Sequence, residues 1–251
     1  MSERRPLDGA IVVLTRRPED ERTLPSELRR LGAEVIELPC MRAEPLADTS
    51  ELAGEIEGLR PSDLLVLTSR AGVDAVAAVV PRSGLACGVA AVGQRTAEHA
   101  AAVGLRVHFV ASRADGRTLG SELPVPRGEI LLARSDIASR DLPAILRRRG
   151  ARVRELTAYR TVAEVSGDPS AVRRAIARRP VSIVVASPSA VDALTDAVGA
   201  ATLRAAGFIA IGRRTAERVR RRIGVIAAIT DVTDAASLVN AIRPPERVAV
   251  T

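Results

Sequence analysis

The chain has 251 residues, 47% of them apolar, which is room for two domains of ordinary size with real cores. It carries a net charge of +7, and every position counted as Lys or Arg is an arginine, an excess that favours an acidic partner although arginine-rich codon usage alone would produce the same bias. Two distant cysteines, Cys40 and Cys87, exclude a disulfide frame or a cysteine-based metal site, and no run is long and apolar enough for a signal peptide or a membrane span, so a reduced cytoplasm is the expected setting.

Taken in order, Ala10–Leu14 reads as a short apolar strand, and Thr15, Arg16, Arg17 and Pro18 open a helix with proline in its first turn. That helix ends at Gly32 and Glu34–Leu38 is the next strand. Residues 40–45 form a loop to a helix near Glu51–Gly58. Asp63–Leu67 is a buried-type strand, with Ser69 as N-cap of the helix that follows. Val89–Val92, a helix over Gly93–Val103 and a strand over Arg106–Val110 come next, and Ser112–Thr118 reads as a polar, mobile loop. Glu129–Ala133 and Arg152–Ala158 are strands on either side of a helix around Leu142–Arg149. After a turn at Gly167, Asp168 and Pro169 comes a helix, then the strand Val181–Val185 and a helix capped by Ser187 with Pro188 in its first turn. Phe208–Ile211, the helix Arg213–Arg222, the strand Val225–Ile229 and a helix near Ala235–Ile242 complete the chain.

Short continuous apolar strands alternating with helices predict parallel sheets covered on both faces, hence two open doubly wound α/β domains. A long repeat supports the count of two. Residues 28–42 match 146–160 at an offset of 118, with nine of the fifteen positions identical. Thr68–Ala75 matches Ala186–Ala193 at the same offset, Ala91–Glu98 matches Ala210–Glu217 at 119, and Ile11–Arg16 loosely matches Ile130–Arg134. The first pair has Met41 in one copy where the other has Tyr159, the only tyrosine of the protein.

Ligands of open parallel sheets bind beyond the carboxyl ends of the strands. The turns that follow the strands carry Thr15, Arg16, Thr68, Ser69, Arg70, Gly93, Arg95, Thr96, Arg134, Ser135, Ser187, Ser189, Gly212, Arg213, Arg214 and Thr215. Most open a helix, whose free N–H groups and partial positive charge accept carboxylate or phosphate. Taken singly, each serine or threonine is as well explained as a helix cap; the set, repeated in both halves, points to a polyanion site. No glycine-rich dinucleotide fingerprint or Walker sequence is present. His99 and His108 have no partner at ligand spacing. The arginines of 213–222 read as a solvated helix face, with Arg213 and Arg214 excepted because they stand at the helix start. Stacking aromatics for nucleic acid are missing. Tyr159 is the candidate catalytic residue, since a phenol with an ordinary pKa near ~10 keeps a proton to donate at neutral pH. Filling a gap between domains is its bland alternative.

Taken together, Leu14–Arg16, Leu67–Ser69, Val92–Gly93 with Thr96–Ala97, Arg134 through Val153, Tyr159–Arg160, Ser187–Val191 and Ile211–Gly212 with Thr215–Ala216 make the chain resemble the uroporphyrinogen-III synthase family, over about Ile11 to Ile242. The resemblance implies two similar doubly wound parallel-sheet domains joined by a two-stranded connector. One is discontinuous, 1–38 with 162–251; the other is 43–157; the connectors are 39–42 and 157–161, a thin link that leaves the interdomain angle free to vary.

It further implies a cofactor-free cyclisation of hydroxymethylbilane to uroporphyrinogen III, with ring D inverted and water lost, on the way to haem, sirohaem or cobalamin. Tyr159 would assist departure of the hydroxyl, and the helix-start residues would hold the substrate's carboxylates. The implied protein is a cytoplasmic monomer with no metal, nucleic acid or membrane partner, in transient contact with the preceding enzyme of the pathway. Ser135 departs from the family pattern, where glycine is common, and no lysine is present. The alternative is a non-catalytic tetrapyrrole- or anion-sensing domain on the same scaffold.

Overall fold

In the computed structural model, residues 5–16, 23–81, 84–230 and 235–242 are described. The chain splits into two compact units, residues 1–42 with 162–251, and residues 43–161. The expectation that Pro18 opens the first helix lies outside the described residues.

The first unit holds β1 (Ile11–Leu14), α1 (Thr23–Arg30) and β2 (Glu34–Glu37). The chain then runs through the second unit: β3 (Arg42–Pro45), α2 (Ser50–Glu57), β4 (Leu64–Leu67), α3 (Arg70–Ala77), β5 (Gly88–Ala91), α4 (Gln94–Ala102), β6 (Phe109–Val110), α5 (Gly116–Glu122), β7 (Glu129–Ser135), α6 (Asp141–Arg148) and β8 (Arg152–Val162). It returns to the first unit for α7 (Pro169–Arg178), β9 (Val181–Val185), α8 (Pro188–Val198), α9 (Ala200–Leu203), β10 (Gly207–Ile211), α10 (Arg213–Ile223), β11 (Ala228–Thr230) and α11 (Ala235–Ala241).

Each unit is built on its own sheet. The first runs β11-β10-β9-β1-β2, with every ladder parallel. The second runs β3-β8-β7-β4-β5-β6, and the ladders from β8 to β6 are parallel. Both are buried on two faces, which is why their central strands are mostly apolar. Ile11 and Val13 of β1 pack into one core with Ile183 and Phe208, whereas Val12 and Leu14 pack into another with Leu28 and Ile209. In β4 and β7 the same alternation sends Leu65, Leu67, Leu131 and Ala133 to one side and Val66, Ile130 and Leu132 to the other.

Strand order reverses between β1 and β9 in the first sheet and between β4 and β7 in the second. Such reversals open a crevice at the carboxyl ends of the strands.

Three local readings need correction. Ser112–Thr118 is not a loose loop: Asp115 caps α5, its carboxylate accepting the Thr118 N–H and hydroxyl, both at 2.8 Å. Gly120 lets α5 lie against α6, since a Cβ there would stand 2.9 Å from the Ile145 side chain. Toward the second sheet's edge, the strand expected over Arg106–Val110 is paired only at Phe109 and Val110. The last strand of the first sheet lies at Ala228–Thr230, later than expected, and Ile226 is exposed.

Candidate functional site

The repeated turns fold alike. Ser69, after β4, caps α3 by accepting the Gly72 N–H at 3.0 Å; Ser187, after β9, caps α8 by accepting the Ala190 N–H at 3.1 Å. The other matched pair uses glycine as cap: Gly93 before α4 and Gly212 before α10. Gly93 has no room for a side chain, because a Cβ would meet that of Ala114 at 2.6 Å. Gly212 sits at φ 81, where side-chain-bearing residues are strained.

The expected site residues divide by what their polar atoms already do. Thr15 is buried and its hydroxyl donates to the Val184 carbonyl at 2.8 Å, which clamps the end of β1 to β9 across the strand-order reversal. Arg134 is buried too. Its guanidinium donates to the Ser139 carbonyl at 2.8 Å and pairs with Glu155, which also holds Arg147 at 3.0 Å. Thr96 and Thr215 are buried in the first turns of α4 and α10, while Thr68 and Ser189 are half-buried.

Arg70, Arg95, Arg213 and Arg214 differ: none of their guanidinium groups bonds to a described residue, and all but Arg70 are exposed. Arg16 does have a partner. Along α10, Arg218 and Arg222 are engaged across to α8. Arg218 grips Asp192 with two bonds, at 2.8 and 2.7 Å, and Arg222 pairs with Asp192 and Asp196, fastening α10 to α8. On this face Arg220, Arg221 and Arg222 remain exposed, as expected of a solvated face, while Arg218 and Arg222 also serve packing. Beside it, Pro188, Ser189, Arg214 and Arg218 line a cavity of about 240 Å³.

Tyr159 lies on β8. Its ring is buried, 7% exposed, in the core shared by Leu67, Val73 and Ala133, and its hydroxyl is 2.9 Å from Ser69 Oγ. Its position depends on a bulge. Arg134 pairs with Thr157, but the next residue, Ser135, pairs with Tyr159, so one residue of β8 is left over. The extra residue turns Ala158 and Tyr159, adjacent in sequence, both toward the core.

Asp136 ties the bulge down, accepting from the Thr161 N–H and the Ser135 hydroxyl, each at 2.9 Å, while its own N–H donates to the Tyr159 carbonyl at 3.2 Å. Partial desolvation pushes this carboxyl up, but the bonds from Thr161, Ser135 and Ile137, with the charge of Arg160, outweigh it and hold the group below the usual 3.8. Beside the ring, Ala43, Pro45, Ala71, Asp74 and Ala75 enclose a mostly apolar cavity of about 220 Å³. The phenol thus has a fixed hydroxyl on one side and open space along another.

A family model described as uroporphyrinogen-III synthase HemD matches residues 23–240. The chain belongs to the uroporphyrinogen-III synthase family. It is 28% identical over 228 residues to a porphyrin biosynthesis protein HemD of Ruminiclostridium josui, a match covering 87% of this chain and 45% of that one. It is 30% identical over 162 residues to a uroporphyrinogen-III synthase of Synechococcus elongatus, covering 61% of each. The chain therefore spans about half the length of these relatives. The crystal structure of a uroporphyrinogen-III synthetase from Helicobacter pylori superimposes with a TM-score of 0.50 at 15% identity, over 92% of this chain and 97% of the other, a likeness of fold.

Within this family scaffold, sequence reasoning passed over Asp136 and Glu155. Asp136 follows directly on the Ser135 departure from the family pattern, the one signal that could have drawn attention to it. Glu155 lies in the first repeat block but is identical in both halves, as Glu37 and Glu155, and so carried no contrast.

Proposed function

We propose that this chain is a uroporphyrinogen-III synthase, closing hydroxymethylbilane to uroporphyrinogen III with inversion of ring D and loss of water. The observation that carries the reading is the lone phenol on β8, its hydroxyl held 2.9 Å from Ser69 at the start of α3. In the reaction, the C–O bond to the terminal hydroxyl breaks and the oxygen departs as water, leaving a delocalised cation that attacks ring D through a spiro intermediate. Tyr159 would give its proton to the departing oxygen, and the proton that ring D loses on closure would restore the phenol.

The substrate's acetate and propionate groups suit the four helix-start arginines whose guanidinium groups have no partner among the described residues, Arg70, Arg95, Arg213 and Arg214. Much of the catalytic task is geometric: holding the chain so that attack on ring D outruns simple end-to-end closure. The reading carries no cofactor, a cytoplasmic monomer, and transient contact with the enzyme that supplies the bilane.

A silent tetrapyrrole or anion binder is the second reading, favoured by the burial of Tyr159. Freshly prepared hydroxymethylbilane, incubated with the protein and analysed for product isomers, separates the two. A synthase accelerates formation of the type III isomer, whereas a silent binder leaves the spontaneous type I product unchanged.

A further inference from the structure

Ser69 has two engagements in this fold, and its counterpart has one of them. Both Ser69 and Ser187 cap a helix through an N–H three residues on. Only Ser69 also meets a phenol. The residue matching Tyr159 in the other half is Met41, which packs at the edge of its own core and has no proton to give. Capping explains a serine at both positions and leaves the second contact unexplained.

The pairing is closely built. A Cβ on Gly72 would lie 3.1 Å from the Ala133 carbonyl and 3.3 Å from Ser69 Oγ, so glycine there lets the first turn of α3 approach β7 and the pair. A serine hydroxyl has one proton and two lone pairs, and the Gly72 N–H uses one lone pair. Toward Tyr159, Ser69 can therefore either donate or accept. When the phenol donates to Ser69, its only proton is spent. When Ser69 donates, the phenol proton is free for another acceptor, and negative charge growing on the phenol oxygen faces a donor anchored at a helix N-terminus.

We infer that Ser69 is the positioning residue of Tyr159: with substrate bound it donates to the phenol oxygen and thereby turns the phenol proton toward the departing hydroxyl. Ser69 itself makes and breaks no covalent bond. The inference deepens the synthase reading and rests on it for the identity of that hydroxyl.

The test exploits a chain with one tyrosine and no tryptophan, in which the near-ultraviolet tyrosine band reports Tyr159 alone. Ser69→Ala should displace that band and lower kcat about tenfold with KM kept, the loss of one hydrogen bond in the transition state. Ser69→Thr retains a hydroxyl and should restore both. Ser69→Asp caps α3 but has no proton to donate at neutral pH, so it should recover thermal stability without recovering kcat.

An unchanged band in Ser69→Ala, or wild-type kcat in Ser69→Ala or Ser69→Asp, overturns the inference while leaving an active wild-type enzyme intact. A wild-type chain that does not turn over the bilane overturns the synthase reading instead.

Discussion

Asp136 accepts the backbone N–H of Thr161 at 2.9 Å, and this bond ties the loop after β7 to the strand that carries Tyr159. Removing the carboxylate in Asp136→Ala should cost roughly 1 kcal/mol of stability and let β8 shift near Tyr159, so turnover should fall more than the loss of folded protein explains. Thermal melts and initial rates on the same preparation check both. The carboxyl is held below 3.8 in the fold, so its contribution is present above the unfolded value and is lost as pH falls through the lowered one. The stability difference between wild type and Asp136→Ala should therefore shrink on acidification.

The arginines should separate into two groups. Arg134 is buried against Glu155 and the Ser139 carbonyl, and Arg134→Ala should destabilise by about 2 kcal/mol, chiefly through lost bonds within its own unit. Arg70, Arg95, Arg213 and Arg214 have no described partner to lose, and their alanine variants should stay within about 0.5 kcal/mol of wild type while raising KM for a polycarboxylate. Denaturant melts and steady-state kinetics across the five variants make the comparison.

Cys40 is fully buried, and burial pushes its thiol up from 9.0 to about 12. The neutral thiol is favoured in the fold, so its contribution is complete below the unfolded value and disappears as pH rises toward the folded one. With no lysine in the chain, few groups ionise in this window. Stability should decline between pH 9 and 12, and Cys40→Ala should flatten the decline. Thiol reagents should reach Cys40 only at the rate of unfolding.

Gly128 sits where β7 begins, its N–H donating to the Ser62 carbonyl at 2.9 Å. A Cβ there would lie 2.5 Å from that carbonyl oxygen and 2.0 Å from Asp63 Oδ1, which accepts the Glu129 N–H at 2.8 Å. Gly128→Ala should cost about 1–3 kcal/mol by forcing β7 away from the start of β4. Gly84→Ala also sits at a loop glycine but at φ 83 in open space, so strain alone should set its smaller cost. Chemical denaturation of the two variants gives the comparison.

The architecture was readable because it is written twice. The block around Gly32 recurs around Gly150, and both glycines take positive φ at the end of a helix before a strand. Strands such as Ile11–Leu14 were legible because burial on both faces makes them apolar throughout. The candidate site was legible as a set of turns, since Ser69 and Ser187 announce helix starts by chemistry that needs no tertiary partner.

What each residue does inside that set was not legible. Thr15 and Arg134 look like surface ligands until the Val184 carbonyl and Glu155 are found beside them, contacts made across 169 and 21 residues of chain. The bulge at Ser135 leaves no periodicity signal, because it shifts one strand against another without altering either sequence. The helix α5 was hidden because its Gly120 serves packing against Ile145, a reason that exists only once α6 is in place.

The central claim is most directly tested by the isomer composition of the porphyrinogen formed from fresh hydroxymethylbilane, at equal conversion, with wild type, Tyr159→Phe and no protein. Wild type should give predominantly type III, and Tyr159→Phe, folded as well as wild type, should form it much more slowly. Predominantly type I product with wild type, at the rate seen without protein, would contradict the account.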